Sequence, residues 1–136
     1  MVDLSKLVVG LAGAAEIVVG EEHTAPFVGS GRVRVLATPV MINLMEAAAL
    51  DAVEKLLPAG HQSLGIRLDV RHYAATPVGM RVRAAAELVK VDGRTLDFRV
   101  EARDEKEPIG DGLHQRVVVN VARFDERVRK KIGKEL

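Results

Sequence analysis

The stretch Ala37-Thr38-Pro39-Val40-Met41-Ile42-Asn43-Leu44-Met45-Glu46-Ala47-Ala48-Ala49-Leu50 decides the fold. Threonine at an N-cap with proline at the first helical position is a helix start, because proline lacks an N–H that would have no partner there. The pattern predicts a helix from Thr38 to about Leu57, stopped by Pro58 and Gly60. Up to Leu50 it is apolar almost all round, so it must be buried on most sides and the rest of the chain must wrap it.

Downstream of this helix the chain alternates with a period of two. Leu64, Ile66, Leu68 and Val70 fall on one strand face, continued by His72, while Arg67, Asp69 and Arg71 fall on the other. Val82, Ala84, Ala86 and Leu88 alternate with Arg81, Arg83 and Glu87 up to Asp92-Gly93, a tight-hairpin signal. In the paired strand Leu96, Phe98, Val100 and Ala102 share a face, and Glu105 to Pro108 make the next turn. The last strand, from about Ile109 to Val121, is expected to turn Leu113, Val117, Val119 and Val121 inward. Ala15 to Val19 and Arg32 to Leu36 are shorter strand candidates. One long apolar helix with antiparallel strands predicts an α+β layer, a curved antiparallel sheet wrapped around one central helix. We read residues 1–136 as one domain with a basic C-terminal tail from about 124. Ala-Thr-Pro-Val occurs at Ala37 to Val40 and again at Ala75 to Val78; the copies are expected to open different elements, a helix and a strand, which speaks against an internal duplication.

Composition removes several mechanisms. Without cysteine there is no disulfide framework, thiolate metal site or cysteine nucleophile. A net charge of +1 argues against nucleic acid or an anionic membrane as partner, and three Phe, one Tyr and no Trp leave little for base stacking. Asp3, Lys6 and Glu16 interrupt the apolar N-terminus, which lacks a signal-peptide core or a membrane-spanning run. The expectation is a soluble cytoplasmic protein.

Three residues could carry chemistry. Glu46 sits mid-helix among apolar neighbours, where a carboxylate needs a partner, a raised pKa or an opening to water. His72 closes an apolar strand face where the pattern calls for Val or Leu; a neutral core histidine explains it as well as a catalytic one does. Thr38 has helix capping as its default role, although an oxygen that accepts an N–H can still donate its own proton. No metal site is expected: His23, His61, His72 and His114 are scattered. Gly110-Asp111-Gly112 reads as a turn or bulge, and the tail with Arg127, Arg129, Lys130, Lys131 and Lys134 as a solvated helical or frayed end.

These residues, in order, carry a resemblance. Ala37-Thr38 through Leu44-Met45-Glu46, then Ser63-Leu64-Gly65, His72 with Ala74-Ala75-Thr76-Pro77, and Gly110 to Gly112 with His114 and Arg116 resemble the fluoroacetyl-CoA thioesterase group of hotdog proteins. The similarity runs from about Leu36 to Phe124. It implies a hotdog fold, hydrolysis of an acyl-CoA without a cofactor, and a threonine, glutamate and histidine as the catalytic set, which map onto Thr38, Glu46 and His72. It also implies that Gly65 helps bind the thioester carbonyl, and places an arginine of the motif at Arg116. His72 suits the general base; Glu46 can orient it or attack, and Thr38 can be nucleophile or hydrogen-bonding group. The same fold can hold an acyl-CoA without turnover or house a hydratase or dehydratase; having both Glu46 and His72 favours catalysis over mere binding.

Upstream of Thr38 the chain departs from that group's fluoroacetyl-CoA enzyme. Phenylalanines cover the acyl group there; this chain reads Val28-Gly29-Ser30-Gly31-Arg32-Val33, with Phe27 the one aromatic nearby. Little fluoroacetyl preference is expected. Helix geometry adds an expectation about assembly. Thr38 and Glu46 are eight residues apart, roughly 12 Å along the axis and turned by about 80°, so both cannot easily reach one thioester carbon. Two antiparallel helices across a twofold axis would bring Thr38 of one chain to Glu46 of the other, which predicts a homodimer or higher homo-oligomer with shared sites.

Overall fold

The computed structural model describes residues 2–133, so Lys134 of the basic tail lies outside the described residues. Strand β1 (Ala12–Val18) leads through a short helix α1 (Ala25–Val28) to the long helix α2 (Thr38–Val53), which ends in a 3-10 turn at Glu54–Leu56. Strands β2 (His61–His72), β3 (Arg81–Asp92), β4 (Thr95–Asp104) and β5 (Pro108–Asn120) follow, and helix α3 (Val121–Ile132) ends the described chain. All five strands form one antiparallel sheet in the order β1-β3-β4-β5-β2. The sheet wraps α2, as the apolar helix required.

The core forms where sequence pattern and burial coincide. Val82, Ala84, Ala86 and Leu88 of β3 and Leu96, Phe98, Val100 and Ala102 of β4 are buried against Met41, Met45, Ala48, Ala49 and Ala52 of α2. Each larger aliphatic or aromatic side chain contributes roughly 1.5–3 kcal/mol by leaving water. The helix can lie close to β1 because position 13 is glycine. A Cβ there would overlap the Ala48 carbonyl oxygen and the Ala52 nitrogen. The Asp92-Gly93 signal is a two-residue turn, Gly93-Arg94, with Asp92 paired to Thr95.

Other sequence expectations are corrected. Arg32 to Leu36 is not a strand: its one ladder contact is a bridge from Leu36 to Thr24, because no neighbouring strand is there to pair with it. The upstream strand spans Ala12–Val18 rather than Ala15 to Val19. The second Ala-Thr-Pro-Val copy lies in a loop, with β3 beginning at Arg81; Thr76 is buried there and donates to Asp104 Oδ2 at 2.9 Å. On the edge strand β2, Ile66 and Leu68 are 53% and 39% exposed, and a bulge between Gly65 and Arg67 breaks the register. On β5 the expected face holds only at its end, where Val119 is buried and Val117 half-buried. Leu113 is 56% exposed, whereas His114, Arg116 and Val118 are buried, because partners from other elements satisfy the two polar side chains. Gly110-Asp111-Gly112 is strand within β5, with a bulge beside it at Ala102/Arg103. Helix α3, capped by the Asn120 side chain accepting from the Arg123 N–H, holds the basic residues Arg127, Arg129, Lys130 and Lys131 on an exposed helix.

Candidate active site

Thr38 is the first residue of α2, and its hydroxyl does not cap the helix; Ala37 occupies that position. The approach to α2 is held by backbone bonds instead, from Leu36 N–H to the Thr76 carbonyl and from Ala37 N–H to the His23 carbonyl, each 2.9 Å. The hydroxyl is therefore free for His72 at the end of β2, whose Nδ1 lies 2.7 Å from Thr38 Oγ1. The other ring nitrogen, Nε2, is buried and has no partner among the described residues. Burial pushes the His72 pKa below the ordinary imidazole value, partly offset by the nearby Ala74 backbone, which favours the charged form. The ring is thus held neutral, the form a general base needs. The pair lines a cleft of about 380 Å³ together with Ala25, Ser30, Arg32 and Val33. Phe27 is 69% exposed and is not among the lining residues, whereas Tyr73 is.

Glu46 belongs to a second group. Its Oε2 accepts from Arg116 Nη1 at 3.3 Å and lies 3.8 Å from His114 Nε2. Arg116 Nη1 also donates to His114 Nε2 at 3.0 Å, Nε donates to Ser63 Oγ at 2.8 Å, and Nη2 to the Ser63 carbonyl at 3.0 Å. Ser63 in turn donates its N–H and its hydroxyl to the two oxygens of Glu54, each at 2.8 Å. His114 Nδ1 donates to the Arg67 carbonyl at 2.8 Å, which leaves Nε2 as the acceptor and fixes the neutral tautomer. Burial, opposed by the bond to Arg67 and reinforced by Arg116, pushes the His114 pKa down. Burial also lowers the Arg116 pKa, while Glu46 and Glu54 pull the other way; a guanidinium stays charged regardless.

Gly65 completes this group by having no side chain. A Cβ there would lie 2.5 Å from Glu46 Oε2 and 3.1 Å from His114 Cε1, so any larger residue would have to displace the carboxylate from where it stands. The five residues singled out in the sequence thus fall into two sets, Thr38 with His72 and Glu46 with Gly65 and Arg116. Among the described residues no hydrogen bond or ion pair joins the sets. Sequence reasoning missed Glu54, the packing role of His114, and Tyr73. A signal for His114 and Arg116 was present in their i, i+2 spacing with Val118, which puts all three on one strand face. Among the described residues there is no cluster of His, Asp and Glu able to hold a metal, and no helix long and apolar enough to cross a membrane.

Comparison with known proteins identifies the fold and the family. The family described as fluoroacetyl-CoA-specific thioesterase matches residues 19–122. A fluoroacetyl-CoA thioesterase from Streptantibioticus cattleyicolor is 44% identical over 97 residues, 71% of this chain and 70% of that protein. The solved structure of the fluoroacetyl-CoA thioesterase FlK superimposes with a TM-score of 0.87 at 37% identity, covering 92% of this chain and 97% of the other. A threonine-to-serine variant of FlK in complex with acetyl-CoA matches with a TM-score of 0.86 at 36% identity, covering 92% and 98%. A hot-dog-like protein from Thermanaerovibrio acidaminovorans shares the fold, with a TM-score of 0.87 at 23% identity over 96% and 97% of the two chains. The sheet wrapped around one helix is therefore the hotdog fold, and the chain belongs to the fluoroacetyl-CoA-specific thioesterase family.

Proposed function

We propose that this thioesterase hydrolyses a short or medium acyl-CoA to the free acid and CoA, at a site made of Thr38 and His72 from one copy and Glu46 from a second. The observation that carries the reading is the 2.7 Å contact between Thr38 Oγ1 and His72 Nδ1, with the opposite ring nitrogen buried and unpartnered. When the ring carries its proton on Nε2, Thr38 donates to Nδ1 and the Nε2–H is left without an acceptor among the described residues. A carboxylate on that side would orient the ring and stabilise the imidazolium that forms during proton transfer. Glu46 of a second copy is the acidic side chain that the helix geometry offers. The unpaired edge of β2, with Ile66 and Leu68 exposed, supports an association that covers it.

In the reaction His72 takes the proton of the attacking oxygen, either the Thr38 hydroxyl or a water, and returns it to the leaving sulfur of CoA; if Thr38 attacks, a water activated by the same base then hydrolyses the acyl-threonine to the free acid. The developing oxyanion needs N–H donors. Pro39 has none, and the N–H groups of Val40 and Met41 both go to the Ala37 carbonyl. That favours the Gly65 backbone, beside Glu46, as the donor. The acetyl-CoA held by the FlK variant supports an acyl-CoA substrate here. The test is a thiol-release assay over acyl-CoAs of increasing chain length. Turnover of at least one short or medium substrate is expected; CoA binding without turnover on the whole panel would make this a binding protein.

A further inference from the structure

We propose that Glu54 is a positioning residue for Glu46, acting through Ser63 and Arg116; this rests on the hydrolytic reading above. The chain of contacts is continuous. Glu54 accepts both hydrogens that Ser63 can donate, from its N–H and its hydroxyl. A serine hydroxyl has one proton, so once that proton is on Glu54 the oxygen can only accept, and it accepts from Arg116 Nε. The Ser63 carbonyl takes Nη2. One edge of the rigid, planar guanidinium is thereby seated on Ser63, and the orientation of that edge decides where Nη1 points. Nη1 reaches Glu46 Oε2, with neutral His114 as its second acceptor.

Burial makes the chain stiff. Ser63, Arg116 and His114 are 4%, 5% and 1% exposed, so an orphaned donor or acceptor among them has no water to turn to. The Glu46 side chain, by contrast, is 35% exposed, and among the described residues Arg116 is its one hydrogen-bond partner. Charge points the same way, since one cation stands between two carboxylates beside a neutral imidazole. Without Glu54 the Ser63 N–H loses its partner and the hydroxyl is free to rotate. Arg116 then loses both a fixed acceptor and half of its counter-charge. The relaxation open to it is to turn, which carries Nη1 off Glu46. Glu54 lies eight residues beyond Glu46, just past the end of α2, so the clamp also ties that end of the helix to β2 and β5.

The test combines steady-state kinetics with NMR of the arginine Nε–H on wild type, Glu54→Ala, Glu54→Gln, Ser63→Ala and the Glu54→Ala/Ser63→Ala double variant. Glu54→Ala is expected to lower kcat by about tenfold to a hundredfold, the scale of misplacing a reacting group, with KM little changed. The double variant is expected to be no slower than Ser63→Ala, because both changes cut one chain. Glu54→Gln keeps an acceptor and is expected between wild type and Glu54→Ala; with Ser63→Ala it carries the test if Glu54→Ala fails to fold. Independent, multiplying losses in the double variant, or a folded Glu54→Ala enzyme with wild-type kcat, would overturn the proposal. If wild type turns over no acyl-CoA, the hydrolytic reading fails by itself. The clamp is then judged by the slowly exchanging Arg116 Nε–H signal, which must vanish in Glu54→Ala; its persistence overturns the clamp.

Discussion

The two halves of the candidate site are built on opposite principles. Around Glu46, Arg116 and His114 every buried polar atom has a partner, and the group is packed between α2, β2 and β5. At Thr38 and His72 there is one side-chain contact, an open cleft, and a buried nitrogen with no partner among the described residues. A fully satisfied network resists rearrangement, whereas an unsatisfied buried donor or acceptor is a cost the fold tolerates only if something else answers it. The first half therefore reads as an anchor and the second as the open side of the site.

Stability, unlike activity, should divide along this line. The largest effect is expected from Arg116→Leu, which leaves Glu46 and Glu54 without their shared cation. Removing one partner of a buried pair costs about 3–5 kcal/mol, and the exposure of Glu46 places this case near 3. Chemical denaturation measures it; a variant as stable as wild type would show that the anchor does not anchor. His72→Ala is expected to do the reverse, lowering kcat by at least about a hundredfold, the low end for a lost general base, with the melting temperature close to that of wild type. If it unfolds, or turns over normally, His72 is a core histidine.

Mixing Thr38→Ala with Glu46→Ala sharpens the comparison further. If the halves meet across two copies, a mixed dimer rebuilds one of its two sites and recovers about half of wild-type activity per dimer. If both halves work within one chain, the mixture is as inactive as its parents. A smaller effect concerns pH. His72 must be neutral to act and its pKa is depressed by burial, so the acidic limb of kcat/KM should fall below the ordinary imidazole value of about 6.5. The linkage has the same sign for His72 and His114. Both are depressed in the fold, so their contribution is fully present above the unfolded value and is lost as pH falls through the folded one. An acidic limb above that value would contradict a buried base. The smallest effect is on acyl choice. Ser30 to Val33 line the cleft without an aromatic, so fluoroacetyl-CoA and acetyl-CoA should have similar kcat/KM. A preference above roughly a thousandfold, about 4 kcal/mol, would show that another residue supplies the cover, and Tyr73 is then the first to mutate.

Legibility followed the same division. Helix α2 and strands β3 and β4 could be read from the chain because each turns one apolar face to the core, so pattern and burial are the same thing. Strands β2 and β5 could be read as strands, but not for which side chains they bury. Ile66, Leu68 and Leu113 are apolar and exposed, while Ser63, His114 and Arg116 are polar and buried. Their burial is decided by partners on other elements, Glu54, Glu46 and the Arg67 carbonyl, which no periodicity records. Arg32 to Leu36 failed for a related reason: a strand needs a neighbour, and the sequence does not say whether one will be adjacent. At the site, Thr38 and His72 were legible as candidates through the resemblance, and their contact is a property of the fold. Glu54 was invisible because a lone acid at a helix end looks like any solvated charge.

Gly13 has a further consequence. It meets α2 at Ala48 and Ala52, on the stretch of helix between Glu46 and Glu54, with no room for even a methyl group. Any side chain there must push the helix, which carries Glu46 and leads directly into Glu54. A saturation scan scored on turnover alone would therefore flag Gly13 beside His72 and Thr38, as intolerant as a reacting residue, although it has no side chain with which to react.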